Sequence, residues 1–424
     1  MQQIADFHIH SRFSRACSRD LTIKNLDQAG RVKGVQIIGT GDFTHPEWLR
    51  EMERDLVATR PDSGLYRHRE GIDDKIKFIL TAEVALIYKD YHGLEKPKVR
   101  RIHLVIHGPS IEAVGGLNTI LGKRFNLRSD GRPILGISAP DFVKLVLDVN
   151  PSFLIYPAHI WTPWFSVFGS KSGFNNFEEC FREQSSNIFA YETGLSSDPG
   201  LNWRVPVLDN LTLLSNSDAH SLGNIGREAN ILDLEDFTYE EIYQAIKKRD
   251  LKKLQGTIEF YPEEGMYHFD GHRDCSIAFA PSDFAKHQGI CPSCNKPLTI
   301  GVASRVDELA NRDITRPEGF ILPDAPGYEK LIELDKIIAQ SLGVKGRSSV
   351  RVKKIYQDLI DNFGDELSIL RKAELVKITD VAGNHLAQGI GRMRAGEVDI
   401  KPGFDGQYGE IRVFTDFTNK KKSI

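Results

Sequence analysis

Two histidines near the start of the chain, His8 and His10, have the type and the spacing of metal ligands. They follow an apolar stretch at i and i+2, and side chains two apart on an extended segment point to the same side. Two imidazoles that reach one point can bind a transition metal. Alone, the pair could equally be two polar residues in a turn, so the metal interpretation requires similar side chains elsewhere in the chain.

Histidines and carboxylates do recur at the ends of later hydrophobic stretches. The predicted strands are 2–9, 35–40, 76–86, 101–107, 153–158, 187–192 and 211–216. The side chains within or just beyond their ends are Asp42, His45, Glu83, His103, His159, Glu192, Asp218 and His220. One multinuclear metal site accounts for all of them, and mixed histidine and carboxylate ligands favour zinc, manganese or iron over magnesium alone. Clustered divalent ions typically serve phosphoester hydrolysis.

The elements that must position these side chains alternate between strand and helix. Helical periodicity is found near 22–33, 46–58, 139–149 and 238–249, with Ser138 and Asp141 as predicted caps of the third helix. This alternation predicts the α/β class, with a largely parallel sheet or an α/β barrel. Seven strands without a glycine-rich nucleotide fingerprint favour a distorted seven-stranded TIM-like barrel, whose strand ends converge on one mouth.

Five motifs carry a resemblance to a known family. They are Asp6-Phe7-His8-Ile9-His10, Gly39-Thr40-Gly41-Asp42, Thr81-Ala82-Glu83, Pro157-Ala158-His159 and Ser217-Asp218-Ala219-His220, in this order. Through them, residues 1–250 resemble the PHP (polymerase and histidinol phosphatase) family. The resemblance implies a distorted seven-stranded barrel that holds two or three divalent ions (zinc, manganese or magnesium). The implied ligands are His8, His10, Asp42, His45, Glu83, His103, His159, Asp218 and His220, of which His8, His10, Glu83 and Asp218 would be catalytic.

Two departures from the family pattern affect this ligand set. Many PHP proteins have an aspartate shortly after the His-x-His pair, where this chain has Ser14-Arg15-Ala16-Cys17. Many also have Thr-Asp-His in the second motif, where this chain separates Asp42 from His45 by two residues. In addition, His107 lies on the same side of its strand as His103 and could replace it.

A second metal site is predicted in a small module at 255–310. His272 and Cys275, followed by Cys291 and Cys294, have the spacing of tetrahedral zinc ligands. Four protein ligands close the coordination sphere, which favours one structural zinc over a catalytic ion. His287 and His268 are alternatives for the histidine ligand.

Composition limits the function classes. The chain has 424 residues and a net charge of -3, which does not suggest a uniformly basic nucleic-acid binder, so DNA contacts require local patches. Five cysteines, an odd number, favour a reducing, cytoplasmic compartment over disulfide bonds. The sequence has no apolar run long enough to cross a bilayer and no signal-peptide pattern, so we expect no membrane partner.

Basic patches are found in the C-terminal region, 311–424, which we expect to be mainly helical and to bind DNA. The run 345–354 contains no acid, and 383–394 is predicted as a glycine- and arginine-bearing turn. The candidate phosphate contacts there are Arg347, Arg351, Lys353 and Lys354. Near the predicted mouth, Trp161 and Trp164 could stack on an unpaired base or pack a small core. Arg227 could bind a phosphate or pair with an acid.

The segment 402–409, Pro-Gly-Phe-Asp-Gly-Gln-Tyr-Gly, resembles a stretch near the end of PHP proteins associated with UvrD-type helicases. Together with the PHP motifs and the zinc ligands, it makes nearly the whole chain similar to archaeal DNA repair endonucleases of the PHP family. The resemblance implies cleavage of damaged single- or double-stranded DNA 5′ to a deaminated base (uracil, hypoxanthine or xanthine) or an abasic site. The expected products are a 3′-hydroxyl and a 5′-phosphate.

Two other functions remain open at this point. A small-molecule phosphatase of the histidinol-phosphate type explains the barrel but gives the residues beyond 255 no role. A non-catalytic DNA-binding helicase accessory would not be expected to keep a complete ligand set.

The end of the chain offers one further partner. Phe414 and Phe417, followed by Lys420, Lys421 and Lys422, could dock on a sliding clamp. Alternatively, Val413 belongs with the two phenylalanines to a last, buried strand.

Overall fold

The computed structural model describes residues 2–93, 95–310 and 315–414. The strands are β1 (Gln3–Asp6), β2 (Ile37–Gly39), β3 (Leu56–Ala58), β4 (Leu65–His68), β5 (Lys77–Asp90), β6 (Lys98–Gly108), β7 (Ile134–Leu135), β8 (Leu154–Pro157), β9 (Ala190–Glu192), β10 (Thr212–Leu214), β11 (Ala229–Leu232), β12 (Leu254–Glu259), β13 (Asp270–His272), β14 (Ile277–Phe279), β15 (Gly327–Lys330), β16 (Asp399–Lys401) and β17 (Glu410–Arg412). The α-helices are α1 (Ile23–Lys33), α2 (Pro46–Asp55), α3 (Ile111–Gly122), α4 (Ala139–Val149), α5 (Phe177–Phe181), α6 (Pro199–Asn202), α7 (Tyr239–Lys248), α8 (Pro281–Lys286), α9 (Val302–Ala310), α10 (Leu334–Ser341), α11 (Val350–Phe363), α12 (Glu366–Arg371), α13 (Leu375–Ala382) and α14 (Asn384–Arg394). Among the described residues, no helix is long and apolar enough to cross a membrane.

The central sheet is mixed, which confirms the α/β class but not a largely parallel sheet. β1 pairs in parallel with β2, and β2 with β5. The next neighbours are antiparallel, because β5 and β6 form a long hairpin and β6 then pairs with β8. β5 ends at Asp90 and β6 begins at Lys98, and so short a connection cannot hold the crossover that a parallel pair needs.

Each of the seven predicted strand segments overlaps an observed strand, namely β1, β2, β5, β6, β8, β9 and β10, although β5 and β6 are longer than predicted. β9 and β10 form a separate parallel pair. Backbone hydrogen bonds of the residues around this pair connect it to the sheet on both sides. The Ile160 N–H donates to the Glu192 carbonyl at 3.1 Å, and the His10 N–H to the Ala219 carbonyl at 3.0 Å. A closed seven-stranded barrel stays a prediction.

The four predicted helices correspond to α1, α2, α4 and α7. Ser138 caps α4 as expected, since its side chain accepts a hydrogen bond from the Asp141 N–H. The sequence did not predict α3, which contains Gly115, Gly116 and Gly122 and therefore has low helix propensity. Its buried face of Val114, Leu117 and Leu121 shows that packing, rather than propensity, stabilises this helix.

The region from α10 to α14 is helical, as expected, but the predicted turn at 383–394 is wrong. This segment is helix α14, and its glycines allow close packing. A Cβ at Gly389 would lie 2.7 Å from the ring of Phe414, and one at Gly391 would lie 3.0 Å from Leu375. The neighbouring elements leave no room for a side chain at these two positions, and glycine fits there because it has no Cβ.

Because of the same packing, Phe414 is not available for the predicted contact with a sliding clamp. Its ring stacks on His385 with centroids 4.1 Å apart, and Val413 beside it is fully buried. These two residues therefore fit the structural alternative, and docking on a sliding clamp is not supported. Phe417 and the lysines at 420–422 lie outside the described residues.

The segment 402–409 joins β16 to β17 and packs against the predicted zinc-ligand module at 255–310. Its backbone meets the turn at 263–265, where the Gly403 N–H donates to the Glu263 carbonyl at 2.8 Å. A Cβ at Gly409 would lie 2.1 Å from that same carbonyl oxygen. The Asp405 carboxylate accepts from the Arg273 N–H and the Thr299 hydroxyl, both at 2.7 Å. The glycine spacing of this segment therefore serves backbone contact with the module.

Two glutamates, Glu228 and Glu259, lie side by side in the sheet with no solvent exposure. Ala229 pairs with Ile258 in the β11–β12 ladder, so the flanking glutamates are cross-strand neighbours. One oxygen of Glu228 and both oxygens of Glu259 make no hydrogen bond to the described residues. The charged groups around the pair are Glu192, Asp198, Arg227 and Lys330. Burial, together with the nearby carboxylates, raises the pKa of both glutamates well above the ordinary value.

These raised pKa values predict a stability that falls with rising pH. The folded carboxyl holds a proton that the unfolded chain releases, so its contribution to stability is complete below the ordinary glutamate pKa and is lost as the pH rises towards the folded value. Glu259→Gln removes this titration at nearly constant shape. We expect its melting temperature to exceed that of the wild type by an amount that grows from pH 5 to pH 8 and corresponds to about 1 kcal/mol or more at pH 8. Glu53→Gln, at an exposed position of α2, is the control, and a constant difference between Glu259→Gln and wild type would contradict the prediction.

Candidate metal centre

The strand ends bring the predicted ligands into two groups that share one carboxylate. The ligand atoms of His8, His10, Glu83 and Asp218 lie within 4.8 Å of one another, and so do those of Glu83, His103 and His159. Oε2 of Glu83 lies 3.2 Å from His10 Nε2. Oε1 lies 2.6 Å from His103 Nδ1 and 3.1 Å from His159 Nε2. Glu83 thus faces one group with each oxygen.

The donor atoms of the first group fit a cation. Nε2 of His8, Nε2 of His10 and Oδ1 of Asp218 are buried and make no hydrogen bond of good geometry to the described residues, although His10 Nε2 lies only 3.1 Å from Asp218 Oδ1. Buried polar atoms are rarely left in this state, and each is a lone-pair donor of the kind that transition metals bind. The orphaned atoms belong to the residues that the sequence predicted to be both ligands and catalytic.

The backbone at this site adopts conformations that non-glycine residues rarely adopt. The φ angles of Asp42, His159 and Asp218 are 50°, 27° and 46°, in the left-handed region. Such residues cost about 1–3 kcal/mol each and gather at functional sites. Close contact adds to the constraint, because a Cβ at Gly194 would lie 2.3 Å from the Cβ of His159.

Asp42 was predicted as a ligand, but the structure places it behind His10. Its Oδ1 lies 2.9 Å from His10 Nδ1. Its Oδ2 accepts from the N–H and hydroxyl of Ser11, both at 2.7 Å, and from the Ser14 hydroxyl at 2.8 Å. Both oxygens are therefore occupied. An acceptor at Nδ1 keeps the proton there and leaves Nε2 of His10 as a lone-pair donor towards Glu83.

Glu192 orients His8 in the same way. Its Oε2 lies 3.0 Å from His8 Nδ1, and its Oε1 accepts from the His159 N–H at 3.0 Å. The Asn216 amide completes its set at 2.9 Å. The sequence placed Glu192 at a strand end, yet this orienting role follows only from the packed side chains.

The charge balance of the site favours bound cations. Burial alone would lower the pKa of His8 and His10, but the carboxylates of Glu192, Glu83 and Asp42 raise both well above the ordinary value. Burial alone would raise the pKa of Glu83, but His103 and Arg132 lower it well below the ordinary value. The carboxylates thus stay charged and draw positive charge, as protons or as metal ions, into the site.

Three other histidines take different positions. His45 stacks on Phe13 with centroids 4.4 Å apart and lies outside both groups, so the structure does not bring this predicted ligand to the site. His220 adjoins the first group, with its ring 4.6 Å from that of His10 and its Nδ1 3.6 Å from Asp218 Oδ1. His107 points away to the Tyr156 hydroxyl at 3.0 Å, so it does not replace His103.

Arg132 is a member of the site that no motif indicated. Its Nη1 lies 3.0 Å from Glu83 Oε2. It stands on a connecting segment between α3 and β7, where the sequence shows neither apolar periodicity nor a catalytic motif. Only the folded chain places this guanidinium beside the shared carboxylate.

Of the aromatic and arginine residues predicted to contact DNA near the site, the structure leaves only some exposed. Trp161 is 1% exposed and donates to Asn202 at 2.7 Å, so its predicted DNA contact is wrong and its role is in the core. Trp164 is 38% exposed, and its neighbour Phe165 lies 4.6 Å from the ring of His103. Arg227 donates twice to the Ser217 carbonyl, at 3.0 and 2.9 Å, and thereby holds the segment before Asp218.

The basic run in the C-terminal region is only partly available for DNA. Arg351, Lys353 and Lys354 are exposed on the first turns of α11. Arg347 is paired with two acids, Asp335 at 2.6 Å and Glu333 at 3.2 Å. The charge of Arg347 is thus largely balanced within the protein.

The four predicted zinc ligands come together. The ligand atoms of His272, Cys275, Cys291 and Cys294 lie within 4.8 Å of one another. Burial alone would raise the pKa of Cys291, but backbone N–H groups of the knuckle lower it below the ordinary thiol value. The two alternative histidines lie elsewhere, with His287 stacked on Phe279 and His268 against Phe269.

Comparison with known proteins yields one family model and relatives that match part or nearly all of the chain. A family model for the MJ0043 C-terminal domain matches residues 333–397. Protein MJ0043 of Methanocaldococcus jannaschii is 31% identical over 258 residues, which cover 59% of this chain but only 31% of that longer protein. Protein YqxK of Bacillus subtilis is 28% identical over 422 residues, which cover 96% of this chain and 98% of YqxK.

Two solved structures are similar over nearly the whole chain. The lesion-specific endonuclease PfuEndoQ from Pyrococcus furiosus matches with a TM-score of 0.83 and 29% identity, over 97% of this chain and 95% of that one. Endonuclease Q in complex with a 27-mer duplex that carries an abasic lesion at the active site matches with a TM-score of 0.81 and 29% identity, over 97% and 96%. The chain therefore has the endonuclease Q architecture.

The cysteine cluster predicts a metal that supports the fold. Cys291→Ser should lose about one zinc per chain and lower the melting temperature, because structural zinc binding contributes folding free energy. Metal analysis and a thermal melt measure the two effects. Cys180→Ala is the control, since Cys180 is buried in the core away from the cluster and its loss should lower stability without changing zinc content. Unchanged zinc in Cys291→Ser means that the knuckle is misassigned.

Proposed function

We propose that this endonuclease Q-type protein is a DNA repair endonuclease that hydrolyses the phosphodiester bond 5′ to a deaminated base (uracil, hypoxanthine or xanthine) or an abasic site. The products would be a 3′-hydroxyl and a 5′-phosphate. One observation carries the proposal: a cluster of orphaned metal-ligand atoms lies in a chain that is similar, over nearly its full length, to endonuclease Q bound to a duplex with an abasic lesion.

The residues of the two groups would hold two or three divalent ions, zinc, manganese or magnesium. His8, His10, Glu83 and Asp218 would bind one ion, and Glu83, His103 and His159 another, with His220 adjoining the first. When bound, such ions activate water as a nucleophile and neutralise the charge that develops on phosphate oxygens. The cluster of His272, Cys275, Cys291 and Cys294 would hold a separate structural zinc.

The chain's own residues prepare this chemistry before substrate arrives. Asp42 and Glu192 fix the rings and tautomers of His10 and His8, so that Nε2 of each faces the shared carboxylate. The left-handed backbone at His159 and Asp218 directs their side chains into the same space. Preorganised donors of this kind need no rearrangement at the moment of reaction.

The lesion has to be read outside the base stack, because deaminated bases differ from normal ones at their Watson–Crick edges. Trp164 supports such a role, since it is exposed and adjoins Phe165, which contacts His103. An indole at this place can stack on an unpaired base within reach of the candidate metal centre.

Arg351, Lys353 and Lys354 would contact the phosphate backbone of the bound DNA. Their exposure on α11 supports this role, and their type suits phosphate contact without base readout.

We expect the purified chain to cut a duplex that carries a single uracil, hypoxanthine or abasic site, with Mg²⁺, Mn²⁺ or Zn²⁺ present. His8→Ala and Asp218→Ala should lower the cleavage rate at least about 100-fold while the protein stays folded, because each removes a ligand and not a core contact. Mapping the cut on end-labelled strands measures the rate and the position. His45→Ala is the histidine control and should remain within about tenfold of the wild type, since His45 lies outside both groups.

Other outcomes would point to the other functions. Wild-type turnover in His8→Ala or Asp218→Ala, at equal metal content, would show that the catalytic site is assigned wrongly. Release of inorganic phosphate from a small phosphomonoester, without any cut in DNA, favours a phosphatase of the histidinol-phosphate type. Binding without a metal-dependent cut favours a non-catalytic helicase accessory.

The basic face of α11 gives a second prediction. Lys353→Ala/Lys354→Ala should weaken binding to all DNA sequences alike and reduce the slope of log affinity against log salt by about 2, because two phosphate contacts are lost. Fluorescence anisotropy at several salt concentrations measures this slope. Lys247→Ala/Lys248→Ala changes the net charge equally but lies at the other end of β10 from Asp218, where Thr212 bonds the Ile246 carbonyl, and should leave the slope unchanged. Equal slopes for both variants would mean that the α11 lysines are solvated and do not contact DNA.

A further inference from the structure

We propose that Arg132 is a catalytic residue, which binds a non-bridging oxygen of the phosphate that is cleaved. The inference deepens the proposed function and rests on it. Its starting point is the contact of Arg132 Nη1 with Glu83 Oε2 at 3.0 Å, which places a guanidinium directly against the carboxylate that both donor groups share.

The segment that carries Arg132 is fixed in the wall of the site. The Gly131 N–H donates to the Phe13 carbonyl at 3.0 Å, and the Gly131 carbonyl accepts from the Thr44 hydroxyl at 3.2 Å. A Cβ at Gly131 would lie 2.3 Å from both Asp42 Oδ2 and Ser14 Oγ. The backbone beside Arg132 therefore packs directly against residues that orient His10.

Asp130 anchors the same segment one residue earlier. Its Oδ1 accepts from the Arg132 N–H at 3.1 Å and from the Arg15 N–H at 3.2 Å. The backbone leading into Arg132 is thus held, and the contact with Glu83 positions the guanidinium before any ligand binds. A positioned donor of this kind is what stabilisation of a transition state requires.

Arg132 also reaches solvent, unlike the carboxylate that it contacts. Its side chain is 27% exposed, whereas Glu83 is fully buried. A guanidinium has five N–H donors, and the contact with Glu83 is made through Nη1. An anion that enters the site can therefore reach the remaining donors, and guanidinium matches the oxygens of phosphate in pairs.

Electrostatics favours an anion over a purely structural role. Glu83 is already surrounded by the imidazoles of His8, His10, His103 and His159. The pairing with Glu83 stabilises the guanidinium, but cations bound in the two groups would repel it, and a bound phosphate would offset that repulsion. Arg227, for which the sequence left phosphate binding and pairing with an acid equally open, donates to the Ser217 carbonyl.

The proposed step balances without a proton from Arg132. A water oxygen forms a bond to phosphorus, the bond from phosphorus to the 3′-oxygen breaks, and that oxygen leaves with a proton derived from the water. Negative charge accumulates on the non-bridging oxygens during this exchange. Arg132 donates hydrogen bonds to one of these oxygens and remains charged throughout.

The test compares wild type, Arg132→Lys and Arg132→Gln as full-length, Mn²⁺-loaded proteins. Metal content is measured first, then binding of inorganic phosphate by calorimetry, and then kcat and KM on a duplex with an abasic site. We expect equal metal content in all three, phosphate affinity at least about tenfold weaker in Arg132→Gln, and a kcat lower by about 100-fold with little change in KM. Arg132→Lys should recover part of both losses, because it keeps the charge but not the paired donors.

Arg124→Gln is the matched control, since Arg124 is exposed in the same connection and lies against Phe125. The inference is overturned if Arg132→Gln binds phosphate as the wild type does, or if it loses metal, which would make Arg132 a structural counterion of Glu83. If wild type binds phosphate through Arg132 but cuts no lesion-bearing DNA, the anion site stands and the proposed endonuclease function fails. The two ideas are thus separated by one set of proteins.

Discussion

A single buried carboxylate, Glu83, constrains the arrangement of the site. It lies in β5, where it pairs with Val105 of β6, and the same strand also pairs with β2 and β4 before Glu83 and with β7 after it. Each of its oxygens faces a different group of donors. A charge cannot remain buried in this way unless positive partners surround it, and the histidines and Arg132 meet that requirement. The geometry of the candidate metal centre follows from satisfying this one group.

Much of the site was predictable because its signals are local. Strand periodicity located His8, His10, Glu83, His103, His159 and Asp218, and the structure brings their donor atoms together. The distinction between a ligand and the residue that orients it was not predictable. Asp42 has the right type and place in the sequence, but its left-handed backbone turns it towards Nδ1 of His10. The burial of Trp161 and the contact of Arg132 with Glu83 also depend on tertiary packing. Neither produces a recognisable pattern in the sequence.

The C-terminal region shows how one residue type misleads sequence interpretation. Glycines near arginines suggested turns that approach phosphates, yet Gly389 and Gly391 lie inside α14 and admit neighbouring side chains. Glycine indicates that something comes close to the backbone, and only the fold shows whether it is a ligand or another part of the protein. Exposed Arg351 and Lys353 on α11, by contrast, keep the availability that their charge suggested.

The contacts of 402–409 with the zinc-ligand module connect parts of the chain that are far apart in sequence. The turn at 263–265 and Gly403, which follows β16, are far apart in the chain but joined by backbone hydrogen bonds. The segment 402–409 therefore packs against this turn although the helices from α10 to α14 lie between the two in the chain. A fragment that ends before 402 would leave the Glu263 carbonyl and the Arg273 N–H without these partners. Truncation before 402 is thus expected to destabilise the fold around the cysteine cluster, far from the cut in sequence.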